Sequence, residues 1–220
     1  RKAARTPEEA LTIMKERAAS ITTVQAPCDL VLTSPNGESV RLEGALVARN
    51  PGWLRIRAWK FNMAVFDLTM KPEGLWIMQN DSPEFRDRVP ATLNADAIAR
   101  GWTLLSGSAI DEAVLQDADQ RGSRNMTMYW PDESGVRVSC VVDRRTLLAQ
   151  RIEAIDGNKA LEACKILLED YRMVDGIAWP HTLTMISGAG KAVVRMHSVA
   201  LNQDIAAEAF LAPSRAVRQP

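Results

Sequence analysis

Apolar residues recur every three or four positions near the start of the chain and at every second position over most of the rest. Leu11, Met14, Ala18 and Ile21 keep helical spacing. Thr6-Pro7-Glu8-Glu9 ahead of them reads as a helix start, with Thr6 as cap, Pro7 at the first helical position and Glu9 returning the capping-box hydrogen bond. The helix is expected to run to Ala19 or Ser20.

After Pro27 the period changes to two. Val40, Leu42, Leu46 and Ala48 alternate with Arg41, Glu43, Val47 and Arg49, which predicts a strand with one apolar and one mostly polar face. Ser34-Pro35-Asn36-Gly37 marks a turn, so residues 28–33 and 39–49 are expected to pair as a hairpin. Beyond Pro51-Gly52, Leu54 and Ile56 face away from Trp53, Arg55, Arg57 and Trp59, and strands over 64–70 and 75–79 follow. Five strands joined by tight turns predict an antiparallel meander.

Between Asp81 and about Gly122 the alternation stops, and Leu93, Ala97, Ile98 and Trp102, then Ile110, Ala113, Val114 and Leu115, fit short amphipathic helices. Such an insertion suits a lid over a cavity. Strands resume over 126–130, 136–142, 149–155, 161–172, 179–186 and 191–201, and Asn202 or Asp204 is expected to cap a short last helix ending near Phe210. The expected architecture is mainly β with α: a single incomplete antiparallel β-barrel of about eleven strands covered by helices. Its segments are an N-terminal helix (1–24), a first strand group (25–80), a helical lid insertion (81–123), a second strand group (124–202), and a C-terminal helix and tail (203–220).

A length of 220 residues holds one large β domain without a seam. Lys+Arg and Asp+Glu balance at 27 each, so no global field draws the chain to nucleic acid. No apolar stretch reaches the length of a membrane-spanning helix. The polar start at Arg1 suits a chain trimmed of a signal peptide. Cys28, Cys140 and Cys164 show no CxxC spacing and cannot all pair within the chain; Cys140 and Cys164 read as small buried hydrophobes.

No catalytic or cofactor motif emerges. His181 and His197 are the only histidines, without Cys, Asp or Glu at ligand or triad spacing, and read as solvent-facing strand residues. Gly188-Ala189-Gly190-Lys191 lacks the first Gly and the Ser or Thr of a phosphate loop and reads as a hairpin turn. Trp53, Arg55, Arg57 and Trp59 read as a cation–π ladder on the sheet's outer face. No metal site and no cofactor are expected, and no enzyme activity. An enzyme acting on lipid or glycan would need clustered carboxylates that the sequence does not assign.

Several stretches, in order, resemble the bacterial lipoprotein-carrier superfamily of LolA and LolB. They are Gly44 to Ile56, Gly74-Leu75-Trp76-Ile77, Val141 to Leu148, Leu168 to Pro180 with its Tyr171 and Val174-Asp175-Gly176 turn, and Ser198-Val199-Ala200-Leu201-Asn202 with Phe210 and Pro213 beyond. The resemblance implies an incomplete barrel with helices over its mouth and a non-enzymatic carrier. Its partners would be lipoprotein acyl chains or phospholipid, and its place the periplasm, either free or as an outer-membrane-anchored lipoprotein facing the periplasm. It also implies a lid latch at Arg49. A soluble carrier and an anchored acceptor are both compatible with it. A second reading is an envelope regulatory or sensor module of similar half-barrel fold that binds a signalling protein.

Nine Met and six Trp suit an adaptable lining. The candidates for the cavity are Leu46, Leu54, Ile56, Phe66, Leu68, Trp76, Met78, Met126, Met128, Trp130, Leu183 and Met185, each also fit for plain core packing. Leu93, Ile98, Trp102 and Leu105 are candidates for the lid's inner side.

Overall fold

A computed structural model describes residues 6–79, 102, 114–116, 124–130, 136–156, 164–188 and 190–218. Helix α1 spans Pro7–Ala19, and its Thr6–Glu9 capping box is formed as the sequence predicts. The first strands are β1 (Thr23–Thr33), β2 (Ser39–Arg49), β3 (Trp53–Lys60), β4 (Met63–Lys71) and β5 (Gly74–Gln79). The later ones are β6 (Val114–Gln116), β7 (Asn125–Trp130), β8 (Val136–Asp143), β9 (Ala149–Asp156), β10 (Cys164–Val174), β11 (Ile177–Ser187), β12 (Gly190–Met196), β13 (Ala200–Leu201) and β14 (Val217–Arg218).

All belong to one open antiparallel sheet, ordered β14-β5-β4-β3-β2-β1-β12-β11-β10-β9-β8-β7-β6, with β13 on β1. The two strand groups are therefore meanders joined through β1 and β12, the first and last long strands, with β14 and β6 as edges. The register shifts at Ala58/Trp59 and at Val141/Val142, and breaks of this kind bend a strand and increase its twist. Gly44 permits close approach of β2 to β3, since a Cβ there would lie 2.9 Å from the Arg57 carbonyl oxygen.

Strand β1 begins at Thr23, four residues before Pro27, where the sequence pattern had placed only a boundary. The β1–β12 ladder ends at Cys28–Met196, and the Pro27 carbonyl accepts the His197 N–H at 2.9 Å. Pro27 thus turns its missing donor toward a ladder that has already stopped, so the strand continues through it. Residues 114–116, expected in a helix, are β6: their apolar run is too short to show a period, and the open edge of β7 offers it a ladder. The expected last helix is a four-residue 3₁₀ turn, Ala207–Phe210, with no side-chain cap. Asn202, expected as that cap, instead accepts from Thr22 N–H (2.8 Å) and donates to the Ser20 carbonyl (2.9 Å), clamping the α1–β1 joint.

The core lies on one face of the sheet. Directly opposed residues of an antiparallel pair share a face, and one row on this face crosses eight strands: Val40, Leu32, Ala192, Met185, Ile166, Ile152, Cys140 and Met128. Leu32, Cys140 and Met128 are almost wholly withdrawn from solvent, and burying a Leu side chain contributes about 1.5–3 kcal/mol. Ala10, Met14 and Ala18 of α1 pack onto the β7–β10 end of this face. Arg17 fixes the helix there by donating to the Leu147 (2.9 Å) and Thr146 (3.4 Å) carbonyls in the β8–β9 turn.

The opposite face of β2–β5 is covered by the C-terminal segment. Phe210 is fully buried edge-on to Trp53, with ring centres 5.4 Å apart, and Arg49 stacks over Phe210 at 5.4 Å.

Candidate functional site

The apolar face is where the candidate residues gather. Leu46, Leu54, Phe66 and Leu68 are buried in one cluster spanning β1–β5 and β11–β13, with Ile56, Leu183 and Met185 packed partly buried against it. Met126 and Met128 are buried in a second cluster, formed by α1 with β7–β10, and Leu183 and Met185 touch that cluster too. Leu183 and Met185 therefore bridge the two clusters, making the apolar face continuous across the sheet.

Trp76 and Met78 stand elsewhere. Register places them opposite Thr69 and Asp67, on the face away from the core, where Lys71 and Arg218 stack over the Trp76 ring at 5.8 and 5.7 Å. Their neighbours Leu75 and Ile77 take the core positions. Leu-Trp-Ile-Met is apolar throughout, so alternation cannot choose its inward pair. Trp130 pairs with Val138 in the ladder, but its side chain, like Leu93, Ile98 and Leu105, lies outside the described residues.

Trp102, proposed above for the lid, packs in the main cluster against Trp179, with ring centres 6.5 Å apart and planes at 61°. Each ring is almost fully buried, at 4% and 2% exposure. Beside Trp179 a small half-open cleft of about 80 Å³ lies between α1, the β8–β9 turn and strands β9–β11. Met14, Ala18, Ile21, Leu147, Ala178 and Pro180 make its walls apolar, and Arg17 and Tyr171 add polar tips. The Tyr171 hydroxyl donates to the Ala149 carbonyl at 2.6 Å, and burial pushes its ionisation well above the ordinary phenol range.

Arg49, the latch implied by resemblance, stands on the opposite face, and its guanidinium donates to the Ile205 carbonyl of the C-terminal segment. The sequence reading missed Asp67 on the same side of the sheet, a wholly buried carboxylate held by Arg55 and Thr69, with Arg57 3.7 Å away. The arginines read as a cation–π ladder thus serve an ion pair, and among the described residues the cations that stack on rings are Arg49, Lys60, Lys71 and Arg218. A lone Asp among apolar β4 residues is the signal that could have revealed it, because a buried carboxylate needs partners.

Of the histidines, His197 is exposed as expected, 3.5 Å from Asp29. His181 is buried instead, its Nδ1 3.2 Å from the Trp179 carbonyl; it follows Trp179 by two residues and so shares its inward face. Cys28 and Cys140 are free and buried, and burial pushes both thiols up to about 12. The Cys164 side chain lies outside the described residues. Ser187 pairs with Gly190, closing the β11–β12 hairpin that the sequence predicts here.

Among solved structures the chain is similar to a domain from Vibrio parahaemolyticus assigned to outer membrane lipoprotein sorting, at 14% identity over 93% of this chain and 97% of that one, with a TM-score of 0.63. It is similar to a LolA superfamily protein from Nitrosomonas europaea, at 12% identity over 92% and 97%, with a TM-score of 0.61.

The fold is LolA-like.

A DUF1329 family protein from Desulfovibrio piger shares it, at 11% identity over 91% of this chain and 94% of that one, with a TM-score of 0.65. No protein-family model and no curated protein matches the sequence. The LolA-like sheet here carries α1 on the β7–β10 end of its apolar face and Trp102 in the main cluster of that face, and the C-terminal segment lies on the opposite side of β2–β5. Among the described residues, no helix is long and apolar enough to cross a membrane.

Proposed function

We propose that this chain binds acyl chains of lipoproteins or lipids on the apolar face of its LolA-like sheet and carries them, without catalysis, in the bacterial cell envelope. The observation that carries this reading is the apolar row from Val40 to Met128, continuous across eight strands and roofed at its β7–β10 end by α1. Such a face offers a hydrocarbon chain what a bilayer offers, at about 0.8 kcal/mol per buried methylene. Release then requires cover that can move, and α1 is attached at its C-terminal end by a few polar bonds, from Arg17 and through Asn202. The assignment of the similar Vibrio domain to lipoprotein sorting supports the same reading. The proposed setting is the periplasm, free or attached to the outer membrane.

Lipids extracted from the protein purified out of bacterial envelopes, analysed by mass spectrometry, test the proposal. Acyl lipids copurifying in near-stoichiometric amount are expected. Protein that carries no lipid and takes up no fluorescent fatty-acyl probe would end it.

A further inference from the structure

Buried indole N–H groups nearly always find an acceptor, because leaving one desolvated and unpaired costs about 1–3 kcal/mol. Trp179 and Trp102 break this rule together. The two rings touch edge to face, both are buried, and neither Nε1 has a hydrogen-bond partner among the described residues. The polar tips of the nearby cleft are different, since Tyr171 and Arg17 spend theirs on the Ala149, Leu147 and Thr146 carbonyls. Trp179 also holds a particular place: it lines the cleft under α1 and belongs to the main apolar cluster. Trp179 is thus common to the cleft and to the apolar cluster.

We propose that the Trp179 indole N–H, with Trp102 as second donor, is a recognition point for the carbonyl oxygen of an acyl ligand, the ester or amide group where the hydrocarbon chain meets its head. This inference rests on the acyl-binding reading above and adds the chemical group recognised. A carbonyl brings an acceptor without a charge, so it answers the donors without bringing an ion into an apolar setting. A plain hydrocarbon would leave both donors unanswered. Selectivity for acylated over merely greasy molecules follows.

The test uses the full chain and three probes of similar length: methyl decanoate, N-methyldecanamide and tridecane. Indole N–H resonances in proton–nitrogen correlation spectra are assigned through Trp179→Phe and Trp102→Phe. The Trp179 resonance is expected to move downfield with either carbonyl probe and not with tridecane. The ratio of carbonyl-probe to tridecane affinity is expected to fall about tenfold in Trp179→Phe. The amide or ester arm with the larger shift identifies which linkage is read. Indole shifts equal for all three probes, or an unchanged ratio in Trp179→Phe, would overturn the inference and leave acyl binding standing. Failure of every probe to bind would end both. Should Trp179→Phe fold poorly, the Trp179 resonance is assigned in the wild type by triple-resonance spectra, and the wild-type shifts decide.

Discussion

Arg55 grips Asp67 with two parallel hydrogen bonds, Nε to Oδ1 at 3.0 Å and Nη2 to Oδ2 at 2.6 Å, while its remaining Nη1 donates to the Ala209 carbonyl at 2.9 Å. One side chain thus joins β3, β4 and the C-terminal segment. The pair is nearly dry, with side-chain exposures of 13% and 1%. Removing one member leaves the other as an uncompensated buried charge, so Asp67→Ala is expected to lose about 3–5 kcal/mol in urea denaturation. Arg57, half exposed, should lose less than about 1 kcal/mol as Arg57→Ala. Equal losses from the two variants would contradict the assignment.

Phe210 is the apolar anchor of the same segment, fully buried against Trp53 and Arg49. Phe210→Ala should cost about 3–5 kcal/mol and turn Trp53 toward water, read as a red shift of tryptophan emission absent from a Trp53→Phe background. A shift of under about 1 kcal/mol would mean the segment does not hold this face.

Asp143 gives a pH prediction. Burial opposes its charge, but hydrogen bonds from Arg124, Thr146 and Arg145 outweigh it and hold the carboxyl down at about 2, below the ordinary 3.8. A group whose folded value is depressed contributes stability that is complete above the ordinary value and disappears as pH falls through the folded one. Between pH 4 and 2 the wild type should therefore lose more stability than Asp143→Asn, measured by denaturation across that window. Parallel pH profiles for the two would refute it.

Cys28 and Cys140 are buried thiols raised to about 12, and the thiolate is the reactive form. At pH 8 both should resist iodoacetamide in the native protein and react fully in denaturant, followed by peptide mass spectrometry. Native labelling of either residue would show that its strand opens far more readily than the packing implies.

Ala178 lines the cleft under α1 and is only partly buried, which leaves room for a larger side chain at its mouth. Ala178→Phe is expected to weaken binding of a fluorescent fatty-acyl probe about tenfold, the equivalent of one or two methylenes losing their place, at unchanged melting temperature. Undiminished binding would place the ligand elsewhere on the apolar face.

How far the sequence could be read differs from element to element. The capping box at Thr6 and the strands with clean alternation, β2 and β3, are visible because each is decided by neighbours within a few residues. Their inward sets, Leu46, Leu54 and Ile56 among them, follow from the same alternation. Trp76 and Met78 show its limit, since a strand apolar on both sides is oriented by its partner's register. His181 and Asp67 show a second limit. Both are polar residues that end up buried, Asp67 beneath a C-terminal stretch well over a hundred residues away.

By itself, then, the sequence determined one helix, two meanders of alternating strands, the chemistry of the turns and the oily character of one side, because period and turn propensity are local properties. Only the tertiary structure decided that β1 and β12 join the meanders into one sheet, that Arg49 and Arg55 hold the chain's own C-terminal segment, and that two indole donors are left together beneath the apolar cover. Those outcomes depend on which surfaces meet across long stretches of chain, and a residue carries no mark of its distant neighbour.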